Sequence, residues 1–292
     1  VQKGGKEMIK LEHVVLASPE QMEFVIEGMR NAKNSWDRSD SYIDRPNTNC
    51  NGQSGDPFHV LGDNDHSLMQ QLSKAGTDHR KYMRMMPVYA RITAPLYLWK
   101  EFDTYKVGTV SNSCSTMHKI GDKEFTLEDF SCEHLSDVTM EGFKKQIEYL
   151  ECLRLAYMLG KDDAEYAGMN KKDLWWQMIQ LLPSSYNQTR NIMMNYEVLA
   201  NIYKSRKNHK LDEWREFCKW IEELPYSELI VGENNSPMTP NEFREFCKRT
   251  EEKNCDIPEE TIDKLNAIGN VNAMDSKNIQ EAIDECEKEK ED

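Results

Sequence analysis

Few segments of this chain read as strands, and many read as helices, which points to a mixed fold dominated by helices. Residues 9 to 16, IKLEHVVL, form the first strand-like run, and Met83 to Thr93 form the second, with Pro87 expected at an edge or a bulge. Between them the chain changes character sharply at Ser18-Pro19-Glu20-Gln21. A serine N-cap, a proline at the first helical position and a glutamine placed to close a capping box predict a helix start, and Met22, Val25, Ile26 and Met29 then recur on one face. The apolar spacing predicts further helices at 64–75, 94–103, 140–159 (stopped by Gly160), 171–181, 187–205 and 211–223. Phe143, Ile147, Leu150 and Tyr157 share a face of the 140–159 helix.

The segment from Asp44 to Pro57 is rich in Asn, Gly, Asp and Pro and reads as a long loop. Gly232 to Pro240 reads as a linker. Thr239-Pro240-Asn241-Glu242 opens a helical extension with patterns at 241–253, 258–267 and 276–290. Two regions are therefore expected, 8–230 and an acidic helical extension at 231–292, with Met8 as the natural start.

The 292 residues carry a net charge of −14, and 281–292 alone hold seven acids against two lysines. Clustered cations are what a nucleic-acid polymer requires, so such a partner is not expected, whereas a mononucleotide needs only a local cationic pocket. No apolar run approaches a membrane span and no basic-then-apolar leader is present, so a cytoplasmic protein with no membrane partner is expected. Eight cysteines lie scattered at 50, 114, 132, 152, 218, 247, 255 and 286, without a CxxC pair. They read as free thiols, with no metal site.

Chemistry concentrates at 94–120, where an apolar helix-like run gives way to Gly108, Thr109, Ser111, Asn112, Ser113, Cys114, Ser115 and Thr116. Short donors and exposed amides suit an anionic or polar small molecule; a plain solvated loop of turn-formers has the same composition. Near Lys106 and His118, the Cys114 thiol can act as a nucleophile toward carbon 6 of a pyrimidine, or it can be an inert cysteine. Continuing the helical period around Asn195, that residue and Arg206 fall about 20° apart beside the apolar face of Ile192, Tyr196, Leu199, Ile202 and Tyr203, while Asn201 projects to the opposite side. Arg206 there is either a ligand-binding guanidinium or half of an ion pair at the core rim. Trp175-Trp176 and the methionines read as core packing.

Three stretches resemble the flavin-dependent thymidylate synthases. The first is Ala94-Pro95 followed by Trp99-Lys100-Glu101-Phe102 and the Ser/Asn-rich loop. The second runs through Leu182-Pro183, Tyr186, Asn195, Leu199, Asn201, Arg206, His209 and Glu213, one residue short between Arg206 and His209. The third is Gly76-Thr77-Asp78-His79, fifteen residues before Ala94. Together they span roughly 8–223.

The resemblance implies an α+β fold, a twisted antiparallel sheet flanked by helices, assembled as a homotetramer with active sites between subunits. It implies reductive C5 methylation of dUMP with methylenetetrahydrofolate, FAD and NADPH. By position it assigns Arg206 to catalysis, beside which Cys114 stands as a candidate nucleophile on the chemistry of its own loop. It assigns Glu101, Thr104, Asn112, Ser113, Cys114, Ser115, Thr116 and Arg206 to the substrate. His79, Lys81, Thr104, Tyr105, Lys106, Asn195 and Asn201 go to the cofactor. The family's Arg-His-Arg signature falls on Thr104, Tyr105 and Lys106, and its Glu, Ser and Arg of the phosphate loop fall on Asn112, Cys114 and Thr116. A divergent enzyme, one transferring a hydroxymethyl group, a flavin-free transferase using Cys114, and a non-catalytic binding relative all remain consistent with that pattern.

Overall fold

The computed structural model describes residues 8–45, 57–159 and 168–232. The 44–57 loop lies largely outside them, and so do Gly160, the linker beyond Gly232 and the extension helices.

In chain order the elements are β1 (Lys10–Leu16), α1 (Pro19–Arg30), β2 (Tyr42–Asp44), β3 (Phe58–Val60), α2 (Asp63–Lys74), β4 (Pro87–Pro95), α3 (Leu96–Phe102) and β5 (Val110–Ser113). Then come α4 (Thr116–Lys119), α5 (Asp137–Leu159), α6 (Lys171–Leu181), β6 (Asn187–Asn195), α7 (Tyr196–Arg206), α8 (Asp212–Glu223) and α9 (Glu228–Val231). The fold is α+β: one antiparallel sheet ordered β1-β4-β6-β5, with β2 and β3 pairing separately and helices packed on the sheet. None of the described helices is long and apolar enough to cross a membrane.

The start of α1 is built as its sequence requires. Ser18 Oγ accepts from Gln21 N at 3.2 Å, and Gln21 Oε1 accepts from Ser18 N at 2.8 Å, so two otherwise orphaned donors are met reciprocally. Met22, Val25, Ile26 and Met29 are all buried, facing the sheet.

Residues 187–205 are not one helix. Asn187 to Asn195 are a central strand paired with β4 over nine residues, from Pro87↔Asn195 to Pro95↔Asn187, and the helix begins only at Tyr196. Apolar residues at 192, 196, 199, 202 and 203 satisfy a helical period on paper, but Gln188, Arg190, Ile192 and Met194 alternate with Thr189, Asn191 and Met193, and pairing on both edges favours the strand. Similarly, 81–85 form a short 3-10 turn, so the strand starts at Pro87. Central in the sheet, Pro87 sits at the first strand position, where a missing donor is tolerated.

Inner-face residues Val88, Ala90, Ile92, Ala94, Ile192 and Met194 pack against α1, α3, α7 and α8 in the main core. A second core gathers Ile120, Phe125 and Phe130 with Ile147, Leu150 and Leu153 of α5 and Leu174 and Met178 of α6. Trp175 packs against that core, whereas Trp176 is exposed.

Candidate functional site

The end of α3 is held between two guanidinium groups. On one side Arg206, in the last turn of α7, donates from Nη1 to Glu101 Oε2 at 2.8 Å and from Nε to the Tyr105 hydroxyl at 2.9 Å. Its guanidinium lies 4.9 Å from the Trp214 ring centroid. On the other side Arg190, on β6, donates from Nη1 to Asp103 Oδ1 at 2.8 Å and from Nε to Gln188 Oε1 at 2.9 Å, over the Trp99 ring at 4.3 Å. In both arginines no described residue bonds Nη2, which leaves one edge of each planar fork able to meet an oxygen.

His209 completes the Arg206 group. Leu211 N donates to its Nδ1 at 3.2 Å, which needs a bare Nδ1, while Arg206 Nη1 at 2.9 Å from Nε2 needs a bare Nε2. A neutral imidazole satisfies only one of these at a time.

From Arg190 the polar network runs to the Ser/Asn-rich segment. This segment is partly a strand: Val110–Ser113 pairs with β6, putting Ser113 opposite Arg190 and Asn112 opposite Asn191. Gln188 Nε2 donates to Thr116 Oγ1 at 2.8 Å and to the Cys114 carbonyl at 3.4 Å, and Cys114 N donates to Thr189 O at 3.0 Å. Asn112, Ser113, Cys114 and Ser115 are exposed, as is His118. Arg206 and Cys114 are thus joined through Glu101, Asp103, Arg190 and Gln188, a chain of bonded and adjacent groups; neither concavity of described residues noted below includes either of them.

The residues expected at the cofactor occupy several places. Asn195 is the N-cap of α7, its Oδ1 accepting from Val198 N at 3.0 Å, and Gly108 lies against it. Asn201 Oδ1 accepts from Arg80 Nη2 at 3.3 Å, and Arg80 also pairs with the buried Glu197 at 2.6 Å. Thr104 Oγ1 donates to the Glu101 carbonyl at 2.7 Å. His79, Lys81 and Lys106 are exposed. Thr104, Tyr105, Asn195 and Asn201 thus each bond another part of the chain, while the other three present side chains to solvent.

Arg190, Gln188, Asp103 and Arg80 were not singled out by sequence. The signal for the first two was the alternation in 187–195; Arg80 adjoins His79 but carries no pattern of its own. No cluster of three His, Cys, Asp or Glu suited to a metal occurs among the described residues. Cys114, Cys152 and Cys218 are free thiols.

No known sequence family and no curated protein matches this chain. Solved structures do. Thymidylate synthase X from Helicobacter pylori, determined with FAD and dUMP, is 14% identical over 77% of this chain and 97% of its own, with a TM-score of 0.52. Another Helicobacter pylori flavin-dependent thymidylate synthase structure with FAD and dUMP (15% identity, 77% and 98% covered) gives 0.48. A UMP/dUMP methylase from Streptomyces cacaoi bound with 5-Br dUMP (12%, 73% and 88%) gives 0.45. On the first of these, this chain has the fold of the flavin-dependent thymidylate synthases.

Proposed function

We propose that the protein is a divergent enzyme acting on a pyrimidine nucleotide such as dUMP, methylating or hydroxymethylating its C5. The observation that carries the reading is the strip from Arg190 through Gln188 and Thr116 to the 113–116 segment, on a fold shared with a dUMP-bound enzyme. Ser113, Ser115 and Thr116 hydroxyls, with the unbonded edge of Arg190, suit a nucleotide phosphate or base. Arg206, permanently charged, would favour the ionised pyrimidine, with Glu101, Thr104 and Asn112 around the substrate. Methylenetetrahydrofolate is the proposed carbon donor and FAD with NADPH the reductant. The assembly is a cytoplasmic homotetramer, in which a second copy adjoins His79, Lys81, Thr104, Tyr105, Lys106, Asn195 and Asn201.

Tritium release from dUMP labelled at C5, with all three co-reactants present, tests this. Release that is lost in Arg206→Ala and Arg190→Ala supports the enzyme. Full activity in Cys114→Ser removes Cys114 as nucleophile, while loss in that variant with no flavin taken up favours the flavin-free transferase.

The second reading, a non-catalytic nucleotide- or partner-binding relative, is favoured by the Arg206–Glu101 bond and by the single cation left at 104–106. It expects a colourless protein that never takes up added FAD and shows no release while nucleotide still binds.

A further inference from the structure

Arg30 ends α1 with its side chain only 4% exposed. A guanidinium has five N–H donors. Nε donates to Asp65 Oδ1 at 2.5 Å, and Nη1 faces the Ser35 carbonyl at 3.1 Å and Ser35 Oγ at 3.3 Å. Nη2 is buried without a partner.

Asp65 cannot supply the missing bonds. Its Oδ2 already accepts from Ser39 Oγ (2.8 Å), Asp40 N (3.1 Å), Ser41 N (3.1 Å) and Ser41 Oγ (2.7 Å). The carboxylate is thereby locked beside Nε, turned away from the side-on grip that would have served Nη2 as well. A charged buried donor left unmet costs about 1–3 kcal/mol or more, so an arrangement that keeps it invites an acceptor from outside the chain.

Arg30 also lines a concavity of about 700 Å³. Lys33 and Arg38 line it too, Asp37 is its one lining carboxylate, and Asn64 and Gln71 of α2 add amide groups. With Asp65 matched to Arg30, Lys33 and Arg38 against Asp37 leave a net positive wall in a protein whose net charge is −14. Volume and lining suit a small molecule, and the unmet Nη2 of Arg30 with two further cations suits the tetrahedral oxygens of a phosphate.

We infer that this pocket, apart from the α3–β5–β6 site, binds a phosphate-bearing small molecule, with Arg30 Nη2 as the anchoring donor and Lys33 and Arg38 as the charged rim. The chemistry is common to free phosphate and to a nucleoside monophosphate.

Calorimetric titration of the full chain with inorganic phosphate and, separately, AMP tests it. Binding is expected to weaken at least about tenfold in Lys33→Ala/Arg38→Ala. Both residues are at the pocket wall, so the melting temperature without ligand should stay that of the wild type. Tighter binding of AMP than of phosphate identifies a nucleotide as the source; equal binding identifies free phosphate. Binding unchanged in the double variant but lost in Arg190→Ala places the anion at the other site and overturns the inference, as does no binding of either probe. Should the double variant melt early, Arg38→Gln alone, with the same tenfold criterion reduced to a measurable weakening, decides between these outcomes.

Discussion

One carboxylate oxygen of Glu101 accepts both Arg206 Nη1 and Trp214 Nε1, each at 2.8 Å. A side chain near the end of α3 thereby fixes α7 and α8 together, with Trp214 fully buried and stacked on Phe102 at 5.7 Å. Glu101→Ala leaves the Trp214 N–H without an acceptor and the guanidinium without its counter-charge. A loss of about 1–3 kcal/mol is expected from urea unfolding, and a loss below the error of the fit would contradict the tie.

Asn195 and Gly108 should be coupled. Asn195→Ala removes the α7 cap, at a cost of about 1 kcal/mol. Gly108 has φ +81°, and a Cβ there would lie 3.0 Å from Asn195 Nδ2 and 3.1 Å from Val198 Cγ2. Gly108→Ala is expected to destabilise by about 1 kcal/mol or more through strain alone. In the double variant the combined loss should be less than the sum, because the clash loses one of its partners; strict additivity would argue against the contact.

Acid should loosen the fold through His59. Its ring is buried with both nitrogens unpartnered, beside Met22, Met86 and Tyr196 at a cavity of about 60 Å³, and burial lowers its pKa against the opposing charges of Glu23 and Asp65. The unfolded chain, with an ordinary histidine near pH 6.5, then binds the proton more readily. The stability associated with neutral His59 is fully present above about pH 6.5 and declines as the pH falls through that value toward the lower folded one. Urea midpoints between about pH 7.5 and pH 5.5 should drop less in His59→Leu than in the wild type; equal slopes would remove His59 as the cause.

Thiol labelling should separate two kinds of cysteine. Cys218 is buried, and burial, with Glu222 beside it, pushes its pKa up to about 11. Cys114 and Cys152 are exposed. Brief alkylation of the native protein near neutral pH, read by peptide mass spectrometry, should modify the exposed thiols roughly a hundredfold faster than Cys218. Comparable rates would mean that α8 opens readily.

The sequence determined whatever depends on neighbours along the chain. Ser18 and Gln21 cap α1 because both partners lie within one turn, and the faces of α1, α5 and α8 follow from their own spacing. The motif order also pointed to the right fold, since Ala94-Pro95 and Leu182-Pro183 mark where β4 passes into α3 and where α6 stops before β6. Tertiary structure decided the rest. Residues 187–195 carry both periods, and only hydrogen bonds to β4 and β5, from chain some eighty to a hundred residues earlier, made them a strand and turned Asn195 from a helix-face residue into a cap. The same long-range contacts gave Arg206 its partners at Glu101 and Tyr105 and brought Arg190 beneath the Ser/Asn-rich segment. A charged side chain's role is set by which opposite groups the fold carries within a few ångströms of it, and that is a property of the packed chain, not of its local spacing.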